Sequence, residues 1–186
     1  MPIATAPTIL GTHAFFFLDG KSATKDVSNA TVAAFPASRT AKPGSTDIGW
    51  VGLGVIEEAS DSPVASEKIE IFAPTPGVLR KYDVLETKRQ SKGSFKCKEL
   101  SALAIQVLYR TLALTASSTQ YNRLEGQIVK GWLKIQRYNQ ADALAIAEDL
   151  YAMLEVKGDV QMGGGGLVEV EFEYDVLHST LNTSTL

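Results

Sequence analysis

Histidine and cysteine are nearly missing from this chain. His13 and His178 stand at opposite ends, and Cys97 is the only cysteine. An intrachain disulfide is therefore impossible, which fits synthesis in a reducing compartment. No Cys/His cluster has zinc-ligand spacing, and a single cysteine beside strand residues reads as an inert buried thiol. Beside the phenylalanine run, His13 reads as a core or interface residue. No run of about eighteen apolar residues exists, so no membrane-spanning helix and no membrane partner are expected. Met1 to Pro7 lacks the basic start and apolar core of a signal peptide, so no secretion by that route is expected. Without such a leader, the sequons at Asn29 and Asn182 read as chance. The net charge of −3 supplies no surplus of Lys and Arg for general phosphate binding.

Catalytic patterns are scarce as well. Pro43-Gly44-Ser45-Thr46 is not a P-loop, Gly49 to Gly54 has the wrong glycine order for a dinucleotide loop, and no nucleophile elbow occurs. The expectation is a protein without enzymatic activity, cofactor or metal.

Against these absences stands one strongly patterned stretch. After Gly163-Gly164-Gly165-Gly166, the chain alternates from Val168 to Val176. Val168, Val170, Phe172, Tyr174 and Val176 take one side, and Glu169, Glu171, Glu173 and Asp175 the other. Period-two alternation of β-branched and aromatic residues reads as a half-buried strand. Its second face is a row of carboxylates about 6.5–7 Å apart. Neighbours at that spacing are admissible as a glycosidase pair, but a row of four gives no reason for one pKa to rise selectively. A straight strand does not wrap a calcium ion either. The row reads either as a solvated outer face or as a wall meant to be negative.

At 186 residues, with 45% hydrophobic and 21% charged, the chain is most simply one domain, 1–186. Residues 1–11 read as an N-terminal arm. His13 to Leu18, with Phe15, Phe16 and Phe17, reads as a strand buried on both faces or lying in an interface, before an Asp19-Gly20 turn. Residues 21–47 form a long Ser/Ala-rich loop, the first candidate for docking on another subunit. Ile48 to Glu57 reads as a glycine-spaced strand, Glu58 to Ser66 as a polar break, and Glu67 to Phe72 as a short strand. Pro74-Thr75-Pro76-Gly77 is turn chemistry. Leu79 to Arg89 is a strand carrying Arg80, Lys81, Lys88 and Arg89, and Phe95 to Lys98 begins its return partner.

The period then changes. Leu100, Leu103, Ala104, Val107, Leu108 and Leu112 describe an amphipathic helix over about 99–113, opened by Ser101 or by Lys98-Glu99. From Gln127 to Tyr138 the chain alternates again, with Val129, Gly131, Leu133 and Ile135 on one face and Lys130, Trp132, Lys134 and Gln136 on the other. Asn139-Gln140 is a turn, Ala141 to Ala147 fits a short helix or a strand edge, and Leu150 to Val156 fits a strand. Residues 178–186 read as a loose C-terminal tail. The sum is a mainly β chain, a sandwich or barrel of about seven to eight strands with one packed helix.

Gly93 to Leu108, a strand running through Glu99-Leu100-Ser101 into an apolar helix, resembles a segment of tail tube proteins of long-tailed, siphophage-like bacteriophages. Gly131-Trp132-Leu133-Lys134-Ile135-Gln136-Arg137-Tyr138, followed by a turn, a strand, a glycine-rich gap and a closing strand, is similar to the same family. The likeness covers roughly residues 48–177 by order of elements. Phe15-Phe16-Phe17 departs from it in being more apolar. It implies a ring-forming β subunit, six to a ring, whose stacked rings build the hollow tail tube through which DNA passes. Related folds form the inner tubes of contractile tails and of type VI secretion systems. It also implies copies of itself, the tape measure, the tail terminator and baseplate or distal tail proteins as partners, with DNA passing unbound. The expected place is the virion tail, assembled in the host cytoplasm. Under that resemblance Glu169, Glu171, Glu173 and Asp175 would line the lumen and mildly repel DNA. Phe15, Phe16, Phe17, Lys42, Asp47, Arg80, Lys81, Lys88 and Arg89 would make inter-subunit or inter-ring contacts. The alternative is a monomeric β-sandwich ligand-binding module with Trp50 and Trp132 as its platform.

Overall fold

The computed structural model describes residues 9–23, 35–45, 47–75, 78–99, 101–108, 128–160 and 168–185. In chain order the elements are β1 (Ile9–Leu18), β2 (Ser22–Ala23), β3 (Phe35–Pro36), β4 (Val51–Gly52), β5 (Ile56–Asp61), β6 (Ala65–Thr75) and β7 (Val78–Gln90). They continue with β8 (Lys92–Cys97), α1 (Ala102–Leu108), β9 (Val129–Asn139), β10 (Leu144–Val156), β11 (Val170–Val176) and β12 (Thr183–Thr185). An eight-stranded antiparallel sheet runs β4-β1-β9-β10-β11-β8-β5, with β12 added on β10. Among the described residues the mainly β architecture with one packed helix is as the sequence predicts, and the sheet is not a closed barrel.

The expected strand Ile48 to Glu57 is instead two strands at opposite ends of this sheet. Gly54, at φ +102°, turns the chain out of extended geometry. Leu53 still donates its N–H to Ala14 O of β1 at 3.0 Å, while Val55 O already accepts from Lys98 N, just past β8. Residues two apart thus touch both ends of the sheet, so the sheet must curl round. The interior of that curl is the main core. Phe16 of β1, Leu133 and Ile135 of β9, Leu154 of β10 and Phe172 of β11 fill it. Leu103, Ala104 and Val107 of α1 pack onto it, and the Ser101 hydroxyl accepts from Ala104 N at 3.1 Å as the helix's N-terminal cap. The predicted helix extends past α1, but Leu100 and residues 109–113 lie outside the described residues.

Alternation decides what each strand puts inside. On β9, Val129, Leu133 and Ile135 face the curl, while Trp132 faces away and joins Phe17, Ala37 and Tyr151 in a second small core. Gly131 has no room for a side chain, since a Cβ would lie 2.1 Å from Phe17 O. The segment from Ala37 to Trp50 covers this second core. Trp132 Nε1 donates to Ser38 O at 2.9 Å, and Trp50 Nε1 to Gly44 O at 2.9 Å.

Further expectations are settled here. The polar break after Glu57 is strand as far as Asp61, because β5 runs on along β8. Of the two readings of Ala141 to Ala147, the strand holds from Leu144, where β10 starts, while Asp142, at φ 54°, belongs to the turn before it. The C-terminal tail is not loose. β12 pairs with β10, and Asn182 closes the corner by accepting from Tyr151 N at 2.8 Å and donating to Leu177 O at 3.0 Å. His13 is exposed, its ring 5.1 Å from that of Tyr138, and is no core residue.

Candidate functional site

The most unusual feature is the β6–β7 hairpin. The two strands pair with each other from Ala65↔Gln90 to Thr75↔Val78, and hardly touch any other element among the described residues. At about 3.3 Å per residue this ribbon projects roughly 35 Å. It grows directly out of the β5–β8 pair, since Asp61 pairs with Gly93 and Ser62 N donates to Lys92 O at 2.8 Å. Its turn at Pro76-Gly77 lies outside the described residues.

Charged and apolar side chains share this ribbon. Ile69 and Leu85 face each other across the ladder, 56% and 51% exposed, and Phe72 and Tyr82 stand 48% and 78% exposed. A two-stranded hairpin with nothing behind it is marginal in water. Contiguous apolar exposure of this kind marks an interaction surface.

Of the predicted contact residues, Lys81, Lys88 and Arg89 lie on this hairpin. They pair within it: Lys81 with Glu70, Lys88 with Glu67 at 3.1 Å, and Arg89 with Glu86 at 2.6 Å. The neighbouring Arg89 holds the Glu86 carboxyl below its ordinary value. These exposed pairs add little stability and organise a polar fringe round the apolar side chains. Arg80 is in β7, with its side chain outside the described residues.

The other predicted contacts are elsewhere. Phe16 and Phe17 are wholly buried in the chain's own two cores and are not available to a neighbour. Of the two readings of the run, the strand buried on both faces holds at Phe16 and Phe17, because the sheet has an apolar layer on both faces at β1. Only Phe15 remains partly exposed. Lys42 is tied to Asp149 at 2.7 Å and to Thr183 Oγ1 at 3.1 Å. Asp47 is buried, accepting from Gly44 N at 2.7 Å. Next to it the buried Lys134 ammonium sits 4.1 Å over the Trp50 ring. Burial lowers the Lys134 pKa, Asp149 and Asp47 raise it, and Lys42 adds to the lowering. The aromatic platform of the alternative is not formed: Trp132 is wholly buried, and Trp50, partly exposed, carries the Lys134 ammonium over its ring.

The acidic row is placed as its alternation predicts, with Val170, Phe172 and Tyr174 buried behind it. Its surroundings are not of one sign, however. β11 is an inner strand, flanked by lysines. Lys96 reaches Glu169 at 3.3 Å, Lys157 reaches Glu171 at 3.0 Å, and Lys92 reaches Asp175 at 3.3 Å. Hydrogen bonding to Glu169 raises the Lys96 pKa, and hydrogen bonding to Glu171 raises that of Lys157. Glu173 makes no ion pair among the described residues, facing Ser94 on β8 and Glu155 on β10. The sequence hid this because the lysines come from two other segments, β8 and the end of β10.

One ionic cluster was not singled out in the sequence at all. Arg137, only 8% exposed, lies at one end of the curl between Asp61 and Glu148, at 2.9 Å from the latter. The Tyr174 hydroxyl donates to Asp61 Oδ1 at 2.6 Å, and Ser184 Oγ to Glu148 Oε1 at 3.1 Å. Burial, aided by the bond to Asp61, pushes the Tyr174 phenol far above its ordinary value. Period-two alternation places Arg137 on the core face with Leu133 and Ile135, which was the one available signal.

Cys97 is fully buried, and burial, with Glu99 adding to it, moves its thiol up to about 11. It is inert, as expected. The described residues hold no group of three or more His, Cys, Asp or Glu side chains able to bind a metal, and no helix long and apolar enough to cross a membrane.

No protein-family model matches the chain, and no curated protein matches it. Among solved structures it is similar to a chain of the anti-feeding prophage (AFP) baseplate, determined by cryo-EM with 6-fold symmetry applied. The TM-score is 0.41 at 10% identity, over 98% of this chain and 97% of that one.

Proposed function

We propose that this protein is a non-enzymatic structural subunit of a phage-type tail that assembles with copies of itself. The observation that carries the reading is the hairpin, whose exposed Ile69, Phe72, Tyr82 and Leu85 need a partner surface. The resemblance in the order of elements from β8 through α1 to β11 supports the finer reading of a tail tube: rings, six to a ring by the resemblance, stacked into a channel for DNA. The partners then are neighbouring copies, followed by the tape measure, tail terminator and distal tail proteins. Phe15, Lys81, Lys88 and Arg89 stay in the contact set as partly or fully exposed residues. Glu169, Glu171, Glu173 and Asp175 face the channel, their charge partly offset by the lysines around them. A wall so balanced neither holds nor strongly rejects DNA.

The test is negative-stain electron microscopy with light scattering, across concentration, on the wild type and on Ile69→Asp/Leu85→Asp. Rings or tubes from the wild type and a folded monomer from the variant are the expected results. A wild type that stays monomeric at high concentration, or a variant that assembles equally well, overturns the proposal. The lumen assignment has its own test. If all four row carboxylates become Gln and both assembly and DNA delivery persist unchanged, the row has no such role.

A further inference from the structure

Adjacent residues on a strand point to opposite faces, and β11 uses one such pair at the base of the hairpin. Tyr174 points inward and holds the leg that enters the hairpin, its hydroxyl 2.6 Å from Asp61 Oδ1, with Arg137 on the same carboxylate. Asp175 points outward and holds the leg that leaves it. Gln90 Nε2 donates to Asp175 Oδ1 at 3.1 Å and to Oδ2 at 3.2 Å, and Lys92 stands 3.3 Å away. Between the two holds the ladder is irregular. Asp61 pairs with Gly93 and Ala65 with Gln90, so Ser62-Pro63-Val64 on one side face only Ser91-Lys92 on the other. Pro63 cannot donate to the ladder there. Backbone bonding where the ribbon leaves the sheet is thus reduced to Ser62 N donating to Lys92 O at 2.8 Å and Val176 N donating to Ser91 O at 2.9 Å, and a two-stranded ribbon bends most easily normal to its own face.

From this we infer that Tyr174 and Asp175 act as a two-sided clamp that fixes the direction in which the hairpin leaves the sheet. The Tyr174–Asp61 bond, backed by Arg137, resists bending to the outer side. The Asp175–Gln90 contact resists bending to the inner side. Losing one hold allows tilt in one sense, and losing both frees the ribbon while its own ladder and the eight-stranded sheet stay intact. This holds whatever surface the hairpin docks on.

The clamp is tested by pulsed electron-spin distance measurement between labels at Lys68→Cys on the hairpin and Lys130→Cys on β9, both exposed positions. Labelled chains are diluted in unlabelled protein, and buried Cys97 leaves the labelling clean. Wild-type protein gives one narrow distance distribution. Tyr174→Phe/Gln90→Ala, checked for its fold by circular dichroism, gives a distribution at least twice as wide. The pair Gln90→Ala/Lys92→Ala removes only the outer hold, leaves the Tyr174–Asp61 bond in place, and shifts the mean without that doubling. A wild-type width in the folded first pair, or an unmoved mean in the second, overturns the clamp. Assembly is scored on the same samples. A loosened hairpin that still builds tubes at wild-type yield leaves the clamp standing and counts against the hairpin as the assembly device, so the two proposals fail separately.

Discussion

Gly93 and Tyr174 are register partners on β8 and β11, and the tyrosine lies where the side chain of residue 93 would be. A Cβ on Gly93 would stand 2.3 Å from the Tyr174 hydroxyl oxygen and 2.4 Å from its ring. The same ring stacks on Phe95 at 5.1 Å between centroids. The glycine is therefore the seat from which Tyr174 reaches Asp61.

Gly93→Ala displaces that ring in a close-packed interior and lengthens the bond to Asp61. The expected loss is about 2–3 kcal/mol, read as a fall in the urea midpoint. Pairing Gly93→Ala with Tyr174→Ala should cost less than the sum of the two single changes, since the clash is then gone.

Arg137 is held between two carboxylates, and removing it leaves both facing each other at the end of the curl. Arg137→Met should lower stability by about 2–3 kcal/mol, below the full range for a buried pair because Asp61 keeps roughly half its surface in water. Adding Glu148→Gln should recover part of the loss. A double variant no more stable than Arg137→Met would mean that the repulsion is not the cause.

Alkaline pH should destabilise the fold. The Cys97 thiol is moved from 9.0 to about 11 and the Tyr151 phenol from 10.0 to about 12, each chiefly by burial, and Tyr174 goes up still further. Above each ordinary value the unfolded chain gives up a proton that the folded chain keeps. Stability is whole below pH 9 and is lost as pH rises through the raised values. Lys134 works in the opposite sense: its lowered pKa means stability is regained as pH climbs toward 10.5. Urea midpoints between pH 8 and pH 11 should therefore fall, less steeply in Cys97→Ala and more steeply in Lys134→Met.

How much of this was legible depended on whether a residue's neighbours were local. The Ser101 cap, the faces of β9 and β11, the turn at Asn139 and the inertness of Cys97 follow from spacing within a few residues, and each stands as expected. Ile48 to Glu57 did not, because Gly54 breaks an alternation that is otherwise continuous. The terminal residues looked loose since nothing in Ser179 to Leu186 is apolar enough to pack except its leucines. Asn182 and the β12 ladder hold them through hydrogen bonds instead.

The sequence by itself determined the inward faces of β9 and β11 and the start of α1, because side-chain alternation and a helix cap are properties of neighbouring residues. Only the tertiary structure decided that the curled sheet brings Asp61, Arg137, Glu148 and Tyr174 together and sets lysines beside the carboxylate row. It also left a charged, apolar-studded hairpin that hardly touches the other described elements. Those outcomes depend on which strands become neighbours, and strand order is settled by burying the whole core at once, which no local pattern records.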